Sequence, residues 1–124
     1  MPQVYQTTVW QARLPDGWIV RELYFDGATL FKPDGVGQIS ILVCPSESQP
    51  PKYNPDINAH FSGKLRGFTS TPAGHGTFTR LWWLYCGGRT LMVSYSCALS
   101  NAEAERKEVD EILQSMAESD RQAA

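Results

Sequence analysis

Hydrophobic and polar residues alternate along much of the chain between residues 10 and 43, a pattern typical of half-buried β-strands. The turn-forming sequences Pro15-Asp16-Gly17, Asp26-Gly27 and Pro33-Asp34-Gly35 separate these runs. Proline fixes φ, aspartate can bond its own backbone and glycine accepts a positive φ, so the chain reverses at each of them. The pattern predicts four antiparallel strands in meander order, the last at residues 38–43.

Four prolines between residues 45 and 55 interrupt this alternation and indicate a loop. Asn54 is a good N-cap, and Pro55 is favoured at the first position of a helix. Apolar residues then recur at helical spacing, at Ile57, Phe61, Leu65 and Phe68. The pattern predicts a first helix from about residue 55, ending at Gly67.

Residues 77–86 and 89–97 read as two long strands joined by Gly87-Gly88, a strong hairpin turn. A two-residue loop places Leu84 opposite Leu91 and Trp82 opposite Val93. One face of the hairpin then carries a first apolar set: Phe78, Trp82, Leu84, Leu91, Val93, Tyr95 and Cys97. The opposite face carries a second set: Leu81, Trp83, Tyr85 and Met92. Because both faces are partly apolar, we expect both to be covered.

A second helix is predicted near the end of the sequence. Ser100 and Glu103 have the spacing of a capping box, and Glu103 precedes Lys107 by four residues, as in a supportive ion pair. Val109, Ile112, Leu113 and Met116 form one apolar stripe. Two helices and a two-faced sheet predict a single α+β domain over residues 1–124, in the order ββββ-α-ββ-α, with the mostly antiparallel sheet sandwiched by helices. The tail from about residue 119 is expected to fray.

Composition narrows the function classes. A net charge of −2 and a pI of about 5.6 provide no basic excess for nucleic-acid binding. The first residues lack the basic and apolar regions of a signal peptide, and no apolar run reaches the roughly 20 residues of a membrane helix. The three cysteines, Cys44, Cys86 and Cys97, have no close spacing, so reduced thiols and a cytoplasmic location are expected.

Several short motifs resemble those of PsbP-like proteins. Leu14-Pro15-Asp16-Gly17-Trp18 is similar to their Leu-Pro-x-Gly-Trp opening, and Gly35-Val36-Gly37-Gln38-Ile39-Ser40-Ile41 to the glycine-led strand that follows. Leu91-Met92-Val93-Ser94-Tyr95 and the Glu-rich helix ending Ile112-Leu113-Gln114-Ser115-Met116 resemble their closing pattern. That superfamily includes lumenal photosystem II proteins, a Ran-binding nuclear import factor, DcrB-like proteins and adaptor chaperones of type VI secretion.

The resemblance implies an antiparallel sheet between helices and a bias toward binding other proteins. The lumenal members carry targeting segments that this sequence does not show, so an intracellular adaptor of the bacterial type is the nearest fit. Functions differ among the members, so the resemblance implies little beyond that bias.

Catalytic and metal-binding patterns are not recognisable in the sequence. Three cysteines and two histidines, His60 and His75, do not form a nucleophile motif, and Cys-x-x-Cys and His-x-x-x-His spacings are missing. We therefore expect no catalytic residue, metal or cofactor. An alternative remains open, in which a small-molecule binder or small enzyme uses His75, in the glycine-rich connection of residues 67–76, with a nearby thiol.

The second face of the long hairpin provides the candidate binding site: Leu81, Trp83, Tyr85 and Met92, with His75 in the flanking loop. If the first helix covers this face, these residues are core; if not, they form an apolar groove rimmed by serine and threonine. The leading interpretation is a non-catalytic protein-binding module, such as an adaptor or a chaperone. Its partner is another protein or, as an alternative, a second copy in a dimer.

Overall fold

The computed structural model describes residues 3–47, 57–60, 63–72 and 76–120, which form two antiparallel sheets and one α-helix. In chain order the strands are β1 (Gln3–Gln6), β2 (Trp10–Leu14), β3 (Ile19–Glu22), β4 (Ala28–Phe31), β5 (Gly37–Cys44), β6 (Asn58–His60), β7 (Gly67–Ser70), β8 (Thr77–Cys86), β9 (Arg89–Ala98) and β10 (Ala117–Glu118). The helix α1 spans Arg106–Ser115, and a short 3-10 turn at Leu99–Asn101 precedes it. An α+β class is therefore confirmed.

The larger sheet has seven strands in the order β3-β4-β5-β9-β8-β7-β6. Its centre is the β8–β9 hairpin, where Leu84 pairs with Leu91 and Trp82 with Val93, so the register predicted from Gly87-Gly88 is confirmed. The meander is confirmed for β3, β4 and β5. The strand before them, β2, leaves the meander and joins a second sheet.

That second, three-stranded sheet has the order β1-β2-β10. It brings together the two ends of the described chain, because Ala117 of β10 pairs with Gln11 of β2. Ser119 is buried, with its backbone N–H donating to Val9 O and its hydroxyl to Thr7 O. The predicted start of the frayed tail is thus hydrogen-bonded to the β1–β2 turn.

The hydrophobic core lies between the larger sheet and a layer made of the small sheet and α1. One face of the larger sheet, here called the inner face, supplies a buried set from β4, β5, β8 and β9: Leu30, Ile39, Ile41, Trp82, Leu84, Leu91, Val93 and Tyr95. Trp10 and Leu14 of β2 pack into the same core. The predicted stripe of α1 is confirmed, since all of its four members are buried: Val109, Ile112, Leu113 and Met116.

The prediction of a first helix is wrong where the structure describes it. Residues 58–60 form β6, whose Ala59 pairs with Phe68 of β7, and Phe68 pairs in turn with Trp83 of β8. Gly67 is not a helix stop: a Cβ there would collide with the Trp83 carbonyl, so glycine allows two strands to approach closely. The predicted N-cap Asn54 and Pro55 lie outside the described residues.

The predicted start of the second helix is also wrong. Leu99–Asn101 form a 3-10 turn, and α1 begins only at Arg106. The side chain of its N-cap residue, Glu105, makes no capping hydrogen bond to the helix. Glu103 pairs with Arg106 at 3.0 Å rather than with Lys107. The carboxylate of Glu105 is instead used for a tertiary contact, which overrides the local capping pattern.

Candidate functional site

The face of the larger sheet that points away from the core, here called the outer face, carries a line of apolar side chains across four strands. The strand registers align Leu42 of β5 with Met92 of β9, Met92 with Trp83 of β8, and Trp83 with Phe68 of β7. We call these four residues the apolar row. Leu42 is 53% exposed and Met92 42%, whereas Trp83 is 7% exposed and Phe68 is half-buried.

Small hydroxyl side chains flank the apolar row. Thr29, Ser40 and Ser94 align next to it on β4, β5 and β9, and the buried Thr90 lies on its other side. Strand alternation places only uncharged residues on the outer face of these three strands and β8. In the described ranges the nearest charged side chain on a neighbouring strand of this face is Arg21 of β3, whose guanidinium lies 5.7 Å from the centroid of the Phe31 ring.

The structure places the four described members of the sequence-predicted site on this outer face, but they differ in access. Trp83 is buried, Leu81 and Tyr85 are half-buried, and Met92 is the exposed member. The Tyr85 ring packs edge-on against Phe68, with centroids 6.3 Å apart at 87°. Trp83 is therefore the buried base of the part of the outer face that β7 and β8 form. The fifth member, His75, lies outside the described residues.

Leu42 and Phe68 are members of the apolar row that sequence reasoning missed. Leu42 alternates with Ser40 and Cys44, which could have placed it on the face opposite Ile41. Phe68 could not be found in this way, because its spacing from Leu65 suggested a helix.

The β3–β4 turn adds two exposed aromatic rings at the end of the apolar row. Tyr24 is 91% exposed and Phe25 is 88% exposed. Phe25 (φ 58°) and Asp26 (φ 64°) are both left-handed, and Gly27 N–H donates to Tyr24 O. This is the type I′ geometry, in which a bulky residue is strained.

Tertiary hydrogen bonds hold this turn in place. Trp10 Nε1 donates to Asp26 O at 2.7 Å, and both the N–H and the hydroxyl of Thr8 donate to Asp26 Oδ1. The surrounding structure therefore fixes the strained conformation. The sequence predicted a turn centred on Asp26 and Gly27. In the structure its centre lies one residue earlier, on Phe25 and Asp26.

The environment of Cys86 disfavours nucleophilic chemistry. Cys86 is buried, its Sγ–H donates to Val9 O at 3.3 Å, and burial raises the pKa of its thiol to about 11. Cys97 is buried as well, and Cys44 is half-buried. Since the thiolate is the reactive form, Cys86 is a poor nucleophile at neutral pH.

A buried carboxylate is used structurally rather than exposed to a ligand. Glu105 has 3% of its side chain exposed and accepts hydrogen bonds from Tyr95 Oη at 2.8 Å and Gly37 N at 3.0 Å. Burial, then the hydrogen bond to Glu105, raises the pKa of Tyr95 well above its ordinary value. Next to it, Lys32 Nζ lies 2.8 Å from Glu108 and 3.9 Å from Glu105. This cluster joins the start of α1 to the β4–β5 turn.

A cleft of about 760 Å³ is lined by both acidic and basic side chains, including Lys64, Arg66, Glu118 and Asp120. Cys86 also lines it. Within residues 3–47, 57–60, 63–72 and 76–120, no group of three or more His, Cys, Asp or Glu side chains could hold a metal ion.

Comparison with known proteins identifies a similar fold but no activity. No family model matches the sequence, and no curated protein matches it. Among solved structures, a protein of Bacteroides thetaiotaomicron VPI-5482 superposes with a TM-score of 0.68 at 14% identity over 92% of this chain. Cyanobacterial PsbP (CyanoP) from Synechocystis sp. PCC 6803 superposes with a TM-score of 0.50 at 12% identity, covering 94% of this chain and 92% of that one. The fold is PsbP-like.

At these identities the PsbP-like likeness concerns the fold alone. The chain spans 46% of the length of the Bacteroides protein. Among the described residues of this PsbP-like fold, α1 is too short and polar to cross a membrane, and no other helix could do so.

Proposed function

We propose that this protein is a non-catalytic protein-binding module, of the adaptor or chaperone kind, that binds its partner through the outer face. The apolar row carries this proposal, because Leu42 and Met92 remain exposed at the middle of a face that no described helix covers. Exposed apolar side chains grouped on one face are typical of interaction sites.

The direction of the apolar row suits an amphipathic helix as the bound element. The row runs across the strands and therefore presents one side chain about every 4.8 Å, the spacing of neighbouring strands. Apolar residues three or four apart along a helix are separated by about 4.5–6 Å along its axis. A helix lying across β5 and β9 would meet the exposed Leu42 and Met92 in turn, with the edge of the buried Trp83 next along the row.

The chemistry of the face supports an apolar contact. The uncharged positions around Leu42 and Met92 lower the cost of desolvation, because no ion must lose its water there. Met92 is flexible and polarisable, so it can adapt to partners of different shape. The proposed contact set is Leu81, Trp83, Tyr85 and Met92 with Leu42 added, and His75 is kept on sequence grounds.

Single lysine substitutions at the exposed positions test this function. We expect Leu42→Lys and Met92→Lys each to reduce partner recovery in quantitative affinity purification at least tenfold, because a buried lysine must lose its water. Both variants should unfold within about 1 kcal/mol of the parent protein, since both sites are exposed. His75→Ala is measured in the same assay.

Val4→Lys is the matched control, because Val4 is 57% exposed on β1 of the other layer. Unchanged partner recovery with Leu42→Lys and Met92→Lys, in folded protein, would exclude the outer face as the binding surface.

The expected compartment remains the cytoplasm, supported by the three free cysteines.

A further inference from the structure

Five exposed apolar side chains of the outer face lie near the end of the strands where the β3–β4 turn is, whereas Ile19, 42% exposed, lies at the other end of β3. Leu23 is 39% exposed and, together with Tyr24, Phe25, Leu42 and Met92, forms what we call the corner patch. Leu23 N–H bonds Gly27 O, and a Cβ placed on Gly27 would lie 3.3 Å from Leu23 Cβ. Because Ala28 pairs with Ile41 in antiparallel register, Gly27 lies opposite Leu42, and Leu23, which bonds Gly27, lies at the same level of the sheet.

Phe25 has a conformation that the fold itself does not require of an aromatic residue. A left-handed φ is disfavoured for a bulky side chain and neutral for glycine. The ring of Phe25 is 88% exposed, so burial within the chain offsets little of this strain. Backbone strain that no contact within the chain offsets is typical of residues that contact another molecule.

We propose that a second copy of this chain occupies the corner patch, giving a symmetric dimer with the two outer faces packed together. The inference rests on the proposed function, because it names a partner of the same face. A two-fold axis parallel to the strands and between β4 and β5 places β3 of one copy over β9 of the other. Leu23 then lies over Met92 of the second copy, and the symmetry repeats this contact.

Charge and shape favour the second copy as the occupant. The outer positions of β4, β5 and β9 carry no charge, and the outer face of β3 adds only Arg21, which lies over the uncharged Ser94 of the second copy in this arrangement. The projecting β3–β4 turn of each copy can pack along the flat strip that Leu42 and Met92 form on the other copy. Each copy therefore supplies both halves of a self-complementary contact.

The apolar area available at the corner patch is close to what a specific dimer requires. An aromatic side chain buries roughly 150–250 Å² when covered, so Tyr24 and Phe25 together offer roughly 300 Å² per copy. With Leu23, Leu42 and Met92 from both copies, the apolar contact approaches the total of about 1,000 Å² that a specific interface requires.

Sedimentation velocity over a hundredfold range of protein concentration tests the proposal. We expect the parent protein to shift from monomer to dimer, and Leu42→Lys to weaken the dimer at least tenfold. Phe25→Gly should also weaken it at least tenfold while raising the melting temperature of the monomer, because glycine relieves the strain. Val4→Lys should dimerise like the parent protein.

Disulfide trapping tests the arrangement of the two copies. Mixing a Leu23→Cys variant with a Met92→Cys variant should give a cross-linked heterodimer under mild oxidation, whereas Val4→Cys mixed with Met92→Cys should not. A parent protein that stays monomeric at every concentration overturns the proposal. A dimer that forms equally well in Leu42→Lys and Phe25→Gly overturns it too.

The same variants separate this inference from the proposed function. The parent protein could be monomeric while Leu42→Lys reduces the recovery of a different protein in affinity purification. In that case the outer face binds a partner, and the partner is not a second copy. If the dimer forms through the corner patch and no other protein depends on Leu42, self-association stands and the adaptor or chaperone function fails.

Discussion

Glu105 joins the first turn of α1 to the larger sheet through hydrogen bonds from Tyr95 and Gly37. Removing the carboxylate leaves the Tyr95 hydroxyl and the Gly37 N–H without their acceptor in a buried place. We expect Glu105→Ala to lower the free energy of unfolding by about 3 kcal/mol, measured by urea denaturation. Glu103→Ala is the control: its carboxylate is exposed and pairs with Arg106, so the change should stay below about 0.5 kcal/mol.

Glu108 makes the stability of the protein sensitive to acid. Burial acts to raise the pKa of Glu108, but hydrogen bonds from Lys32 and Trp18 outweigh it and hold this pKa below the ordinary 4.5. A lowered pKa in the folded state stabilises the fold fully above pH 4.5, and this contribution is lost as the pH falls through the lowered value.

Melting temperatures measured from neutral pH to below pH 4.5 should therefore fall on the acid side. Glu108→Gln should flatten that part of the profile, because the amide does not titrate, and should lower the melting temperature most at neutral pH. Asp34→Asn serves as an exposed carboxylate control. Equal acid sensitivity in Glu108→Gln and the parent protein would contradict this explanation.

At the residue scale, the sequence predicted much of the packing but not its tertiary exceptions. The stripe of α1 could be predicted because its periodicity is local. The left-handed Phe25 could not, because Trp10 and Thr8, distant in sequence, hold the turn one residue before Asp26-Gly27. The buried role of Glu105 could not be predicted either, because its partners Tyr95 and Gly37 come from two other elements.

Among the elements, β7 depends on a glycine at its first position. A Cβ on Gly67 would collide with the Trp83 carbonyl, which belongs to the backbone and cannot turn away. We expect Gly67→Ala to lower the free energy of unfolding by about 3 kcal/mol or more, measured by urea denaturation, because β7 must separate from β8.

Thr69→Ala on the same strand is the matched control. It removes the hydrogen bond from Thr69 Oγ1 to Leu81 O, 2.9 Å long, and leaves the strand spacing unchanged. A loss of about 1 kcal/mol is expected from this bond. If Gly67→Ala is no more destabilising than Thr69→Ala, the close approach of β7 and β8 is not what requires glycine.

The elements that could be predicted are those fixed by short sequences. Gly87-Gly88 sets the β8–β9 register, and the Pro-Asp-Gly turns delimit β3, β4 and β5. β6 lies in the segment predicted as a helix, and β7 lies in the segment predicted as a connection after it. Their pairing depends on Trp83 of β8, which is distant in sequence. The two-residue strand β10 has no periodicity of its own, so its pairing with β2 could not be predicted.

For the whole molecule, the fold class was predictable and the arrangement of its layers was not. An α+β chain with an antiparallel sheet follows from the alternation and the final helix. A helix was expected on each face of the sheet, with the first predicted helix over the outer face. The structure instead places α1 and the small sheet together on the inner side. That arrangement leaves Leu42 and Met92 exposed and gives the proposed binding function its surface.

The pairing of β10 with β2 has a consequence for the order in which the protein can assemble. On the ribosome, β2 is made well before β10, so the edge of β2 has no β10 to pair with until synthesis has passed residue 118. A nascent chain in that state exposes an unpaired strand edge beside apolar core residues, the feature that promotes pairing with other chains. Completion of this small sheet therefore waits until β10 has been made, and slow synthesis between β2 and β10 would lengthen the period of risk.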